Sequence, residues 1–244
     1  ATLDLPPATR RPAALLSPQG KVFAEILLER TEDGFLIDCD AAIADALAKR
    51  LALFRLRAKV DVAPRPDLGV QVFAGAPDPR HRDLPLRRIA ERADEPAHDP
   101  EPYHVARVRA GVAEQGADFG PDEVFPADVN IDMLGGVDFR KGCFIGQEVV
   151  SRMKRRGTAR RRTLQLRLPD DAPAPPCTVL DAAGAEIGVL TSHAGGRGLA
   201  RIRIDRLGAT GSPLTINGRE AVLVEPDWLA GERAALAQAQ AARP

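Results

Sequence analysis

Lys141-Gly142-Cys143-Phe144-Ile145-Gly146-Gln147-Glu148 is the stretch from which the rest of the chain can be read, and it continues into Val149-Val150-Ser151-Arg152-Met153. Two glycines bracket one cysteine. Ile145, Val149, Val150 and Met153 then recur at helical spacing as far as Gly157, a plausible stop. The pattern predicts a loop that turns at Gly142 and enters a helix near Phe144, with Cys143 at the helix's N-terminal end. Unpaired backbone N–H groups and the helix dipole favour an anion there, and Lys141 adds a full positive charge nearby, so the thiol is expected to be more thiolate-like than a free one. The plainer reading is a small core residue beside a tight turn, which is what a free cysteine usually is. Gln147 and Glu148 fall in the first helical turn, where a carboxylate stabilises any helix; alternatively, one of them bonds the loop and fixes Cys143 in place.

Upstream, residues 120–132 are polar and turn-rich and deliver the chain to the cysteine loop. Before them a helix is expected over about 102–113, carrying Tyr103, His104, Arg107 and Arg109. Residues 74–100, rich in Pro, Asp and Arg, read as surface loop with one short strand. Residues 70–73 form a strand, and Leu56, Ala58, Val60 and Val62 alternate with Arg55, Arg57, Lys59 and Asp61 in the pattern of a half-buried strand. Asp40 caps a helix to about Phe54 that buries Ile43, Leu47, Leu51 and Phe54. Strands at 35–39, with Cys39 a core thiol, and at 22–29 are joined by the Asp33-Gly34 turn. Residues 13–16 give one more, closed by Ser17-Pro18-Gln19-Gly20. This order implies an α+β layer with helices over one face of a largely antiparallel sheet.

Downstream of Gly157 the texture changes. Short alternating segments at 163–168, 177–180, 186–190, 200–204 and 219–224, spaced by Gly, Pro and Asp, imply a small β-barrel or sandwich. The Ala-rich tail from Leu229 reads as a frayed helix or unstructured chain. Among 244 residues, 34 basic and 34 acidic side chains cancel, so no global field draws the molecule to nucleic acid or membrane. Cys39, Cys143 and Cys177 form no C-x-x-C pair, which argues against a disulfide scaffold or zinc ribbon and suits a reducing compartment. No apolar run approaches the ~18 residues of a membrane span. The first residues lack the basic and apolar regions of a signal peptide.

The octapeptide resembles the K-G-C-aromatic-x-G-Q-E signature of the YgfZ-type folate-binding proteins, which support iron–sulfur protein maturation in bacteria and mitochondria. All seven specified positions match. Ser17-Pro18-Gln19-Gly20-Lys21 is similar to that family's hairpin before its second strand, and Leu53-Phe54-Arg55-Leu56-Arg57-Ala58-Lys59-Val60 to its helix-to-strand passage. Phe125-Pro126 through Asn130 and Asp132 is similar to its lead-in to the signature. Arg156-Gly157-Thr158-Ala159-Arg160 and Glu225-Pro226-Asp227-Trp228 fit its C-terminal barrel. The resemblance, running from about residue 13 to 228, implies an α+β fold like that of the glycine-cleavage T-protein: three subdomains around a central folate-sized cavity, including a ferredoxin-like α+β part and a C-terminal β-barrel. Residues 1–157 would form the folate-binding region from two interleaved subdomains, 158–228 the barrel and 229–244 the tail. The family's pattern also includes an upstream strand and helix contributing to the cavity, with no legible counterpart here. The T-protein's aspartate pair falls near Ala24-Glu25. Its folate-contacting glutamate falls at Arg109, and a guanidinium cannot accept a pterin's N–H donors.

What the resemblance implies is a tetrahydrofolate-binding accessory factor for iron–sulfur cluster assembly or repair in client enzymes. Cys143 would be its reactive thiol, supported by Lys141, Gly142, Phe144, Gly146, Gln147, Glu148 and Arg152. Tyr103, His104, Arg107, Asp128 and Asn130 are the candidates to contact folate, by stacking or by reading a pterin edge. Packing or turn capping would equally explain them. As metal ligands Asp128, Asn130 and Asp132 lack a fourth oxygen group at calcium-loop spacing. A conventional cluster takes four ligands, so Cys143 could ligate one only transiently, with a partner supplying the rest. The basic run Arg152, Lys154, Arg155, Arg156, Arg160, Arg161 and Arg162 reads as a solvated face, as a contact for folate polyglutamate (Arg155, Arg156, Arg160, Arg161), or as an RNA patch weakened by its lack of interleaved aromatics. Two rival functions remain: a folate-dependent aminomethyltransferase or demethylase using Glu25, and a tRNA-modification accessory factor. The expected partners are folate and iron–sulfur assembly or client proteins, the expected state a monomer away from membranes, and the expected site the bacterial cytoplasm or, in a eukaryote, the mitochondrial matrix.

Overall fold

The computed structural model describes residues 5–92 and 99–241. Strands β1 (Arg10–Leu16), β2 (Val22–Arg30) and β3 (Phe35–Asp38) form an antiparallel sheet in chain order. Alternation on β2 sends Val22, Ala24 and Ile26 into the core and Glu25 to the opposite face. Asp40 accepts from the Ala42 N–H and caps a single 3-10 turn, Ala41–Ile43, which leads into α1 (Ala44–Phe54). Ile43 and Leu47 pack on Ala24 and Ile26, with Leu51 partly buried beside them. Phe54, expected inside, is half exposed.

The predicted strand over 56–62 is not formed. Leu56 is 86% exposed with a positive φ, Val60 is exposed, and none of residues 56–62 pairs with a strand. Alternation specifies a pleated ribbon only where a neighbour supplies the ladder, and no described segment does so here. β4 (Leu68–Ala76) and β5 (Arg87–Glu91) make a separate two-stranded sheet, and α2 (Glu101–Ala110) follows, ending at Gly111 in the left-handed conformation. The lead-in to the cysteine loop is turn-rich but not superficial: Val124, Ala127, Val129 and Ile131 are buried. With Leu16 and Val22 of the first hairpin and Val150 of α3 (Gln147–Arg155), most of them form one core.

Six antiparallel strands close the C-terminal barrel: β6 (Arg161–Arg167), β7 (Cys177–Leu180), β8 (Glu186–Ala194), β9 (Arg197–Arg203), β10 (Leu214–Ile216) and β11 (Arg219–Val224). Alternate residues such as Leu164, Leu166, Ile202, Leu214 and Ile216 fill its interior. The strand β10 has only three residues, too few for alternation to announce it. The tail is an ordered helix, α4 (Leu229–Ala241), whose Leu229 and Leu236 complete the barrel core. Its Glu232 carboxylate accepts from buried Arg162 at 3.0 Å. Among the described residues no helix is long and apolar enough to cross a membrane.

Candidate functional site

Strands β2 to β5 and α2 surround an open cavity of about 1290 Å³. Glu25 reaches it because β2 has spent its other face on the core. Asp38 ends β3, Arg87 begins β5, Arg80 comes from the loop between β4 and β5, and Tyr103 sits in the first turn of α2. Arg80 donates to Asp78 through Nε at 3.1 Å and Nη2 at 2.8 Å, to Glu114 at 3.2 Å and to the Tyr103 hydroxyl at 2.8 Å. The Tyr103 hydroxyl also accepts from Arg87 and donates to Glu114 at 2.7 Å. Arg87 donates to Asp38 at 2.7 Å.

Glu25, whose side chain is 11% exposed, lies 3.5 Å from Arg80. One of its oxygens accepts from the Gln115 N–H at 3.0 Å, while the Gln115 side chain accepts from the Glu25 N–H. Burial pushes the Glu25 carboxyl above its ordinary range, more than the Arg80 charge and the Gln115 hydrogen bond pull it down. Burial works the same way on Asp78, but there the bidentate bonds and charge of Arg80 win, and the carboxyl sits below its ordinary range. The Tyr103 phenol is pushed up to about 12, first by burial and against the pull of Arg80, so it stays neutral and donates. The result is a polar floor whose charges are paired with one another and held in one geometry.

The cysteine loop is elsewhere. Cys143 is exposed and is not among the residues lining the cavity. The helix starts later than expected: α3 begins at Gln147, so Cys143 lies three residues ahead of the N-cap Gly146 and outside the first helical turn. The chain bends through residues 139–142, as expected at Gly142, but the left-handed turn that enters the helix is made at Gly146, with φ +78°. A Cβ at Gly146 would lie 2.5 Å from the Ser17 carbonyl and 2.8 Å from the Gly20 Cα, whereas one at Gly142 would meet nothing. The signature's second glycine therefore exists to let the first hairpin close against the start of α3. Gln147 is the residue that holds the loop. Its Oε1 accepts from the Phe144 N–H at 3.0 Å, and its Nε2 lies 4.0 Å from the Cys143 sulfur. The Lys141 ammonium stands over the Phe144 ring at 5.1 Å. Glu148 is exposed and shares a shallow cleft with Arg152, Arg155 and Arg156.

Of the five residues expected to contact folate, only Tyr103 reaches the cavity. The His104 Nε2 is 3.2 Å from the His193 carbonyl of the barrel. Arg107, 1% exposed, donates to Asp118 at 2.5 Å and to Ser192 at 2.8 Å. Asp128 accepts from the Phe125 N–H, and Asn130 donates to the Thr163 carbonyl at 2.7 Å. These four join the α+β part to the barrel or brace the lead-in through these hydrogen bonds, while the buried Asn130 Oδ1 has no partner among the described residues. Arg109 likewise stands beside Gly195 of the barrel and not at the cavity, so its charge does not reverse that of the site. Arg162, counted with the basic run, is instead buried, donating to Asp132 at 2.6 Å and to Glu232. Arg155, Arg156, Arg160 and Arg161 are exposed. The residues that sequence reasoning missed are Asp38, Asp78, Arg80, Arg87 and Glu114. For Asp78, Arg80 and Arg87 the signal was an Asp-Pro-Arg and Arg-rich segment that hydropathy assigns to solvent, and for Asp38 and Glu114 there was none. Among the described residues, no three His, Cys, Asp or Glu side chains converge to hold a metal ion.

The fold is that of the glycine-cleavage T-protein. The aminomethyltransferase T of the glycine cleavage system from Bartonella henselae superposes with a TM-score of 0.68 over 94% of this chain and 78% of its own, at 15% identity. Residues 160–231 match the C-terminal β-barrel domain of CAF17. An α+β cavity with a separate cysteine loop and this barrel defines a YgfZ-type, T-protein-like chain. The human mitochondrial iron–sulfur cluster assembly factor IBA57 is 34% identical over 93% of this chain and 75% of its own length. The mouse protein of that name is 31% identical over 91% and 74%. The chain belongs to the IBA57 family of iron–sulfur cluster assembly factors.

Proposed function

We propose that this protein assists the assembly or repair of iron–sulfur clusters in client proteins, with Cys143 supplying one ligand to a cluster completed by a partner. The observation that carries the reading is the contrast between the three thiols. Cys143 is exposed on a loop tethered by Gln147. Cys39 is half-buried, and burial together with Asp38 and Asp40 pushes its thiol up to about 11. The Cys177 Sγ is half-buried and donates to the Ala174 carbonyl at 2.9 Å. Since a cluster takes about four ligands, one exposed cysteine suits transfer or shared coordination better than storage. Coordination releases the Cys143 proton to solvent. The names of the relatives, mitochondrial iron–sulfur cluster assembly factors, support this role and a mitochondrial site in a eukaryote; in a bacterium the role would fall to the cytoplasm.

The cavity is proposed to hold a tetrahydrofolate-class ligand, and its donor set suits one. Its volume is ample for a pterin and its aryl extension. Glu25 has acceptor capacity at the inner wall for the paired N–H donors of a pterin edge, exposed Phe73 offers a ring face, and Arg87 and Arg92 can meet a glutamyl carboxylate. Bound there, the folate would supply a carrier for a one-carbon unit. The chain's own residues orient it and keep Tyr103 neutral as a donor.

In cells lacking the endogenous relative, Cys143→Ala is expected to abolish rescue of iron–sulfur enzyme activity while leaving the circular dichroism spectrum unchanged; full rescue refutes the role. Tetrahydrofolate should raise the midpoint of thermal unfolding in proportion to the logarithm of its concentration above Kd, and Glu25→Gln with Tyr103→Phe should remove that response. The aminomethyltransferase reading, with Glu25 as its carboxylate, requires methylene-tetrahydrofolate to form from an aminomethyl donor, which the same preparation can test.

A further inference from the structure

On α3, the turn after it and the first residue of β6, Arg152, Lys154, Arg155, Arg156, Arg160 and Arg161 are all exposed, and among the described residues none forms an ion pair. Elsewhere some surface cations are paired, Arg65 with Asp67, Arg203 with Asp205 and Arg219 with Asp171, while others such as Arg57 and Lys59 stand apart. In a chain whose formal charges cancel, these cations, with no carboxylate among residues 152–161, make a local excess of positive charge. Cations in the last turn of a helix are favoured by its dipole, but one or two meet that need, and Arg160 and Arg161 lie beyond the helix.

The place adjoins the exposed thiol. Glu148, Arg152 and Arg155 follow one another at i, i+4 and i+7, so they share a face of a helix about 14 Å long. That helix starts at Gln147, whose side chain reaches the Cys143 sulfur. Phe139 and Ile145, on either side of the thiol, are 38% and 37% exposed, and Phe139 shares a small cleft with Met153 and Lys154 of the helix. The cysteine thus has exposed apolar groups on both sides in sequence, and the helix that follows carries Lys154 on the side of Phe139 and Glu148, Arg152 and Arg155 on the other.

We propose that this surface docks an acidic protein face that carries the remaining cluster ligands. Carboxylates on the partner would pair with Arg152, Arg155 and Arg156 while its thiolates approach Cys143. This inference rests on the role proposed above for Cys143 and names the chemistry of the partner. A protein suits the surface better than a nucleic acid. On this surface Phe139 is the exposed aromatic, and one ring gives no succession of stacking platforms for a single strand. Opposite charges on two protein faces steer encounter and fix register, which a single shared ligand cannot do alone.

The test uses the full chain and a fluorescein-labelled peptide of Glu and Leu with one blocked cysteine, measured by anisotropy. A Gln-for-Glu version and an oligouridylate of equal length serve as competitors. The Glu peptide should bind, weaken by about ten-fold between low and moderate salt, and lose at least about ten-fold in affinity to Arg152→Glu/Arg155→Glu/Arg156→Glu. Arg152→Gln/Arg155→Gln/Arg156→Gln should give an intermediate loss with an unchanged melting curve. Equal binding of the Glu and Gln peptides, unchanged affinity of the reversed variant, or tighter binding of oligouridylate overturns the inference. Cys143→Ala separates the two ideas, because it should keep charge-dependent peptide binding and lose rescue. If it rescues while the peptide still binds by charge, the role of the thiol fails and the docking face stands. If it fails to rescue while the reversed variant rescues fully, the face fails and the thiol stands.

Discussion

Single side chains here divide cleanly into those that carry the site and those that carry the joints, and Glu25 shows how much turns on one buried carboxyl. In the folded protein it holds its proton to higher pH than in the unfolded chain, where the ordinary value of 4.5 applies. The native state then binds more protons than the unfolded one between that value and the raised folded one, so this group's contribution is full below 4.5 and is lost as pH rises through the folded value. Glu25→Gln keeps an oxygen for the Gln115 N–H and cannot ionise. Arg80 retains Asp78 and Glu114 in either protein. The variant should therefore gain stability relative to the parent as pH rises from about 4.5 and then hold a constant lead, as read by urea unfolding at several pH values. A stability difference independent of pH would mean that Glu25 ionises in the folded protein as it does in water. The sequence placed Glu25 at the site through a resemblance, but its partners Arg80 and Asp78 were invisible. Charged residues in a Pro-rich segment look like solvent-facing loop, and nothing in hydropathy marks a guanidinium that will be buried by pairing.

Among the elements, the loop entering α3 is where prediction and structure can be told apart by two glycines of one motif. Gly146 has a positive φ and backbone pressed against it from the Ser17–Gly20 turn, while Gly142 has neither. Gly146→Ala should cost about 1–3 kcal/mol in strain and displace the hairpin from α3, lowering the thermal midpoint by several degrees. Gly142→Ala should leave the midpoint within about 0.5 kcal/mol of the parent, as surface changes do. Equal effects of the two changes would contradict this division of labour. The barrel strands other than β10 and the first hairpin were legible because each alternates on a ribbon that its neighbours complete. The alternation at residues 56–62 has the same appearance and no partner, and the Ala-rich tail has little amphipathic contrast although Leu229 and Leu236 are deeply buried. Pattern alone reports what a segment can do against a partner, and it does not report whether the partner is there.

At the scale of the whole molecule, the α+β part and the barrel are held together by buried ion pairs that the sequence offered as ligand or surface residues. Arg107 of α2 meets Asp118 and the barrel's Ser192. Arg162 of β6 is gripped from two sides: by Asp132 in the lead-in to the cysteine loop, with a further bond to the Ala127 carbonyl at 3.0 Å, and by Glu232 on α4. One guanidinium thus ties the barrel both to its closing helix and to the segment that positions Cys143. Arg162→Met removes the cation and leaves Asp132 buried and uncompensated, a change that costs about 3–5 kcal/mol. Because the lost bonds span two cores that are otherwise separate clusters, that cost should fall on their coupling. Scanning calorimetry of Arg162→Met should resolve two unfolding transitions where the parent gives one, while Arg161→Met, changing an exposed neighbour, keeps one. A single transition in Arg162→Met, merely lowered in temperature, would show that the apolar contacts between α2 and the barrel, Val108 against Ala194 and Leu199, suffice to couple the two parts without the charge.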